Sequence, residues 1–192
     1  MNELIQSIYE SVLLNKGGDQ ADYIPQLKNV NPDLFGVSFC DVNGNIFKLG
    51  DWENEFSIQS CSKPLNYCLA RTLADDGDVV DDDDKPINIH NHVGYEPSGR
   101  SFNEFVLNKD SKPHNPLINA GAIMVSSFLY PYDEPSDKFE NVKKFYESMS
   151  GRVGKIGFDN SIFLSEKRHA DRNISLAYYM RENKAFSSNP TP

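Results

Sequence analysis

The stretch 56-FSIQSCSKPLNYCLARTLAD-75 decides how this chain is read. Phe56–Ile58 suits a short extended piece. From Ser62 the pattern turns helical, and Pro64 fits the first turn, where a missing N–H costs nothing. Leu65, Cys68, Leu69 and Leu73 recur at helical spacing and form the stripe expected to face a core, with Cys68 as a small apolar filler. Ser60 and Lys63 stand three residues apart at the head of this helix, so both side chains can share one face. A serine hydroxyl is a poor nucleophile until a neighbouring base takes its proton. A lysine is that base only when its amine is neutral, and burial at the positive end of a helix favours the neutral form. The same helix start offers backbone N–H groups to a developing oxyanion. Short motifs of this kind also arise by chance, and the plain reading is a capping serine beside a surface lysine.

Upstream, Leu4, Ile5, Ile8 and Val12 predict an amphipathic helix over 2–14, ended by Gly17-Gly18. ADYIPQL (21–27) reads as a loop or short turn. FGVSFCDV (35–42) reads as a strand, Asn43-Gly44 as a hairpin turn, and NIFKLG as the returning strand. Downstream, DDGDVVDDDDKP (75–86) is a solvated acidic loop to which no function is assigned. Turn formers fill 93–117. INAGAIMVSSFLY (118–130) suits a buried helix, KFENVKKFYESM (138–149) is amphipathic, and helices are expected near 161–167 and 172–184. Every strand signal lies before residue 60, and a two- or three-stranded sheet is marginal alone. The expectation is that helices cover it or that further strands lie outside this sequence.

The chain has 192 residues, enough to bury a core, with 12 Phe and 9 Tyr that argue against disorder. Its net charge of -9 disfavours nucleic-acid and anionic-membrane partners, both of which need a basic surface. Three cysteines (Cys40, Cys61, Cys68) make neither a disulfide framework nor a zinc spacing, so a reducing compartment is expected. No apolar run reaches membrane-spanning length. The segment MNELIQSIYESVLL resembles neither a signal nor a transit peptide. His90, His92, His114 and His169 show no metal-ligand spacing, and no metal is expected.

FSIQSCSKPLNY, ADYIPQL, VGYEPSGRSFN, KPHNPLINAGAI and SEKRHADRNISLAYYM together resemble the serine-dependent glutaminase family of bacteria and animal mitochondria. The strings run in order from about residue 21 to residue 184. The resemblance implies a β-lactamase/transpeptidase-like α+β fold, an antiparallel sheet flanked by a helical region, as one glutaminase domain over 1–192. It implies hydrolysis of L-glutamine to L-glutamate and ammonia through a glutamyl ester, with no cofactor, in a homo-oligomer (dimer or tetramer). It places the nucleophile at Ser60, the lysine at Lys63 and a proton-sharing tyrosine at Tyr23, with substrate contacts from Ser60, Asn119, Glu166 and Asn173. Glu166 can hold the α-ammonium by a charge-assisted hydrogen bond, and the two asparagines can bind the carboxylate. Read alone, Asn119 is a helix cap, Glu166 a surface acid and Tyr23 a loop aromatic. The implied location is cytoplasmic, or mitochondrial if a targeting segment precedes this sequence.

Two features depart from the family pattern. Family members carry further substrate tyrosines, a Gly-rich oxyanion stretch and later strands after the YYM segment, so the sequence is expected to be C-terminally truncated. Its acidic stretch 75–86 is longer than the usual connection and is expected to be a surface insertion. The rival readings are an inactive fragment serving at most as an association surface, and a penicillin-recognising enzyme, since that group also uses S-x-x-K. The absence of K-T-G and S-D-N elements weighs against the second.

Overall fold

The hairpin forms, but its turn is larger than Asn-Gly alone requires. Strand β1 (Gly36–Cys40) pairs antiparallel with β2 (Ile46–Gly50), with Cys40 opposite Ile46, which leaves residues 41–45 as a five-residue loop. Asp41 organises it. Its Oδ1 accepts the backbone N–H groups of Asn43 and Asn45, both at 2.9 Å, and its Oδ2 accepts the Asn45 side-chain amide at 2.8 Å. Gly44 takes φ +82°, the left-handed region that an L side chain enters at a cost. The computed structural model describes residues 2–81, 83–131, 133–151 and 154–186. Among them the sheet has two strands, and Phe56–Ile58 adds none.

The chain divides into two compact units, Met1–Ser57 with Asn160–Lys167, and Ile58–Asp159 with Arg168–Pro192. In the first, helix α1 (Asn2–Leu13) meets the hairpin through Tyr9, whose ring stacks on Phe35 at 5.2 Å. Gly50 makes this approach possible, because a Cβ there would lie 2.3 Å from the Phe35 carbonyl oxygen and 2.5 Å from the Tyr9 hydroxyl. The α1 stripe differs from expectation: Ile5 and Tyr9 are half-buried, whereas Leu4, Ile8 and Val12 are exposed. ADYIPQL contains a single helical turn, α2 (Pro25–Lys28), which starts at a proline suited to that position and follows the fully buried Ile24.

The second unit is helical. It holds α3 (Ser62–Asp75), α4 (Asn119–Ser127), α5 (Pro135–Ser150) and α7 (Asp171–Glu182). Helix α6 (Asn160–Arg168) belongs to the first unit except at its last residue. The core joins Leu69 and Leu73 of α3, Met124 and Val125 of α4, and Leu176 and Met180 of α7, with Val79, Ile89 and Val93 from the intervening loops. The predicted stripe on α3 is corrected here. Cys68 is exposed, and the buried face is Leu69, Ala70, Leu73 and Ala74. Ala120, Gly121, Met124 and Val125 form the buried face of α4. Only glycine fits at 121, since a Cβ would sit 1.8 Å from the Asn115 carbonyl oxygen.

The loops of this unit repeat the device of the hairpin. Asp81 Oδ1 accepts from the N–H groups of Asp83 and Lys85 at 2.9 and 3.0 Å, and Asn108 Oδ1 from those of Asp110 and Lys112, both at 3.0 Å. In each, the third residue onward is left-handed: Asp84 at φ +61° and Ser111 at φ +60°. The acidic stretch is therefore not featureless. Val79 is buried, and Val80 bridges Pro86 on either side of the Asp81 turn.

Candidate active site

The site is built on the start of α3. A 3-10 turn, Gln59–Cys61, leads into the helix, so Ser60 precedes Lys63 by one turn of helical backbone. The turn is strained. Gln59 takes φ +44°, a region a long side chain enters at a cost of about 1 kcal/mol or more. Strain immediately before a candidate nucleophile is the geometry that lifts a hydroxyl clear of its neighbours, and Ser60 is exposed. Ser62, which follows Cys61, folds its hydroxyl back to the Gln59 carbonyl at 2.7 Å.

Lys63 is partly buried, and that desolvation holds its amine below the usual lysine range. Its Nζ donates to Asn119 Oδ1 at 2.8 Å and lies 5.8 Å from the centre of the Phe102 ring. Asn119 in turn donates from Nδ2 to Asn173 Oδ1 at 3.1 Å. Asn119 is the first residue of α4, after a cap at Ile118, so its side chain is free of capping duty. Its N–H goes to the Phe102 carbonyl at 2.9 Å. Three helices thus bring Lys63, Asn119 and Asn173, predicted separately from distant strings, into one hydrogen-bonded line.

Tyr23 and Glu166 meet within the first unit. The Tyr23 hydroxyl donates to Glu166 Oε1 at 3.0 Å. Burial, followed by the hydrogen bond and charge of Glu166, pushes the phenol up to about 12. Tyr23 is therefore a proton donor at neutral pH, and Glu166 Oε1 is its acceptor.

The model of one known family, glutaminase, matches residues 18–192. This chain belongs to the glutaminase family. "Putative glutaminase 3" of Caenorhabditis elegans is 47% identical over 179 residues, covering 93% of this chain and 29% of that protein. The mitochondrial liver isoform of glutaminase from Mus musculus is 40% identical over 183 residues, covering 95% of this chain and 28% of its own length. A solved structure of Mglu in its native form superposes with a TM-score of 0.81 at 30% identity, over 97% of this chain and 42% of that one. The chain thus spans under a third of these two relatives and under half of that structure. The glutaminase fold accounts for the α+β class, with its antiparallel hairpin and helical unit.

Sequence reasoning missed Tyr146. Tyr146 of α5 hydrogen-bonds Asn66 of α3 and is in hydrogen-bonding contact with Ser62. Nothing in KFENVKKFYESM marks one tyrosine among its apolar positions. Two of the histidines are used in packing: His90 Nε2 meets the Tyr67 hydroxyl at 2.8 Å, and His92 Nδ1 the Ala185 carbonyl at 3.1 Å. Among the described residues no helix is long and apolar enough to cross a membrane.

Proposed function

We propose that this chain carries the nucleophilic machinery of a glutaminase, an amidohydrolase that converts L-glutamine to L-glutamate and ammonia. The observation that carries the reading is the Lys63–Asn119–Asn173 line, at 2.8 and 3.1 Å, one turn from Ser60. Neutral Lys63 takes the Ser60 proton as Oγ attacks the side-chain amide carbon. N–H groups at the start of α3 offer donors to the oxyanion. The C–N bond breaks, and the Lys63 ammonium returns the proton to the departing ammonia. A glutamyl ester on Ser60 remains, which water hydrolyses with Lys63 again as base. Asn119 and Asn173 are assigned the α-carboxylate, and Glu166 the α-ammonium with Tyr23 as its donor partner. Family membership favours this over the penicillin-recognising alternative.

The same reading includes a homo-oligomer, dimer or tetramer, to be checked by sedimentation, and a cytoplasmic or mitochondrial location. The decisive experiment is ammonia release from L-glutamine by the 192-residue chain beside a Ser60→Ala control, with a circular dichroism melt on each sample. The expected result is turnover that vanishes in the control while the melt is unchanged. Near-native turnover in Ser60→Ala would sink the nucleophile assignment. A folded chain with no turnover would favour the inactive-fragment reading.

A further inference from the structure

We propose that Tyr146 is a positioning residue for Ser60, fixing through Ser62 and Asn66 the strained turn that presents the nucleophile. The inference deepens the glutaminase reading and rests on it for what the turn is used for. Gln59 at φ +44° persists only if its surroundings hold it there. Two donors from Ser62 do so: its backbone N–H and its hydroxyl both point to the Gln59 carbonyl, the hydroxyl at 2.7 Å. Cys61 N–H closes the turn on the Ile58 carbonyl at 3.0 Å. These ties lie within the turn and the head of α3.

Tyr146 supplies the distant tie. It reaches from α5, 80 residues away in sequence, and donates its hydroxyl proton to Asn66 Oδ1, with Ser62 as its second polar neighbour. Ser62 and Asn66 are four apart on α3, so the phenol that bonds Asn66 also lies beside Ser62 at the head of the helix. The phenol is half-buried, and burial holds its pKa above the ordinary tyrosine value, so it stays a neutral donor over any working pH. Tyr146 acts through Asn66 on the head of α3, whereas the proposed substrate contacts Asn119 and Asn173 stand on α4 and α7. Losing Tyr146 should therefore disturb the attack and spare binding.

The test is Tyr146→Phe in the 192-residue chain, with Asn66→Ala and the double variant, read two ways. Hydrogen–deuterium exchange across 58–63 is expected to quicken about fivefold in Tyr146→Phe, with peptides of α4 and α7 unchanged. The double variant should add little, because both changes break one connection. Exchange at 58–63 within twofold of the parent overturns the proposal, and so does faster exchange throughout the chain, which would mark Tyr146 as a general packing residue. In steady-state kinetics kcat is expected to fall about tenfold with KM unchanged. A rise in KM alone also overturns the proposal. If the parent itself shows no turnover, the hydrolase reading fails, and the exchange measurement still decides whether Tyr146 sets the turn.

Discussion

At the scale of single residues, the chemistry depends on which proton each group holds. Lys63 is disfavoured as an ammonium because it is partly desolvated, and Asn119 Oδ1, to which it donates, is a neutral acceptor. Its folded pKa lies below the ordinary lysine value, so the neutral fraction grows as pH rises toward that value. Turnover should therefore climb with pH on an acid limb whose inflection falls below that of a free lysine. Lys63→Arg should abolish turnover, since a guanidinium does not deprotonate in this range. A pH–kcat profile of parent and variant checks both, and a profile flat from acid to alkaline pH would remove Lys63 as the base. Tyr23, raised to about 12, stays protonated throughout, so the alkaline limb should not be its own.

At the scale of elements, three loops reuse one side-chain device. Asp41, Asp81 and Asn108 each collect two backbone N–H groups on one oxygen and each precede a left-handed residue. Hydrogen bonds from Asn45, side chain before backbone, hold the Asp41 carboxyl below its usual value. A lowered carboxylate pKa contributes stability above the unfolded value, lost as pH falls through the folded one. Asn108 shows that an uncharged amide organises the same loop. Asp41→Asn is therefore expected to keep the hairpin at neutral pH and to remove this residue's share of acid destabilisation. Acid titrations followed by amide resonances of 36–50 would show it. Gly44→Ala meets no atom within 4 Å, so its cost should be conformational alone, about 1 kcal/mol in a denaturant melt. The Asn-Gly pair was legible in the sequence, but the five-residue loop was not, because Asp41 contributes through its side chain and leaves no mark on hydrophobic periodicity.

At the scale of the molecule, the helical unit rests on a core in which Met124, Leu176 and Met180 are fully buried. Met124→Ala should lower stability by about 2–5 kcal/mol, the transfer loss plus the residual cavity. Chemical denaturation measures it, and a change under 1 kcal/mol would mean that the site collapses to fill the space. The core rows explain why helix existence was easy to read and helix orientation was not. Periodicity placed α3, α4, α5 and α7 to within a few residues, yet chose Leu65–Cys68–Leu69–Leu73 as the inner stripe of α3. The buried face is Leu69–Ala70–Leu73–Ala74, which shares one core with Met124 and Val125 of α4 and Leu176 and Met180 of α7.

The sequence by itself determined the family, the α+β class and the positions of the main helices to within a few residues, and it named six candidate site residues, because ordered strings and local periodicity carry that information. Only the tertiary structure decided that Lys63, Asn119 and Asn173 lie on one hydrogen-bonded line, that Tyr23 donates to Glu166, and that Tyr146 donates to Asn66. Each of these contacts joins residues more than fifty positions apart. Their partners are chosen by how helices and loops pack, and packing depends on side-chain shape across elements, which no local pattern encodes.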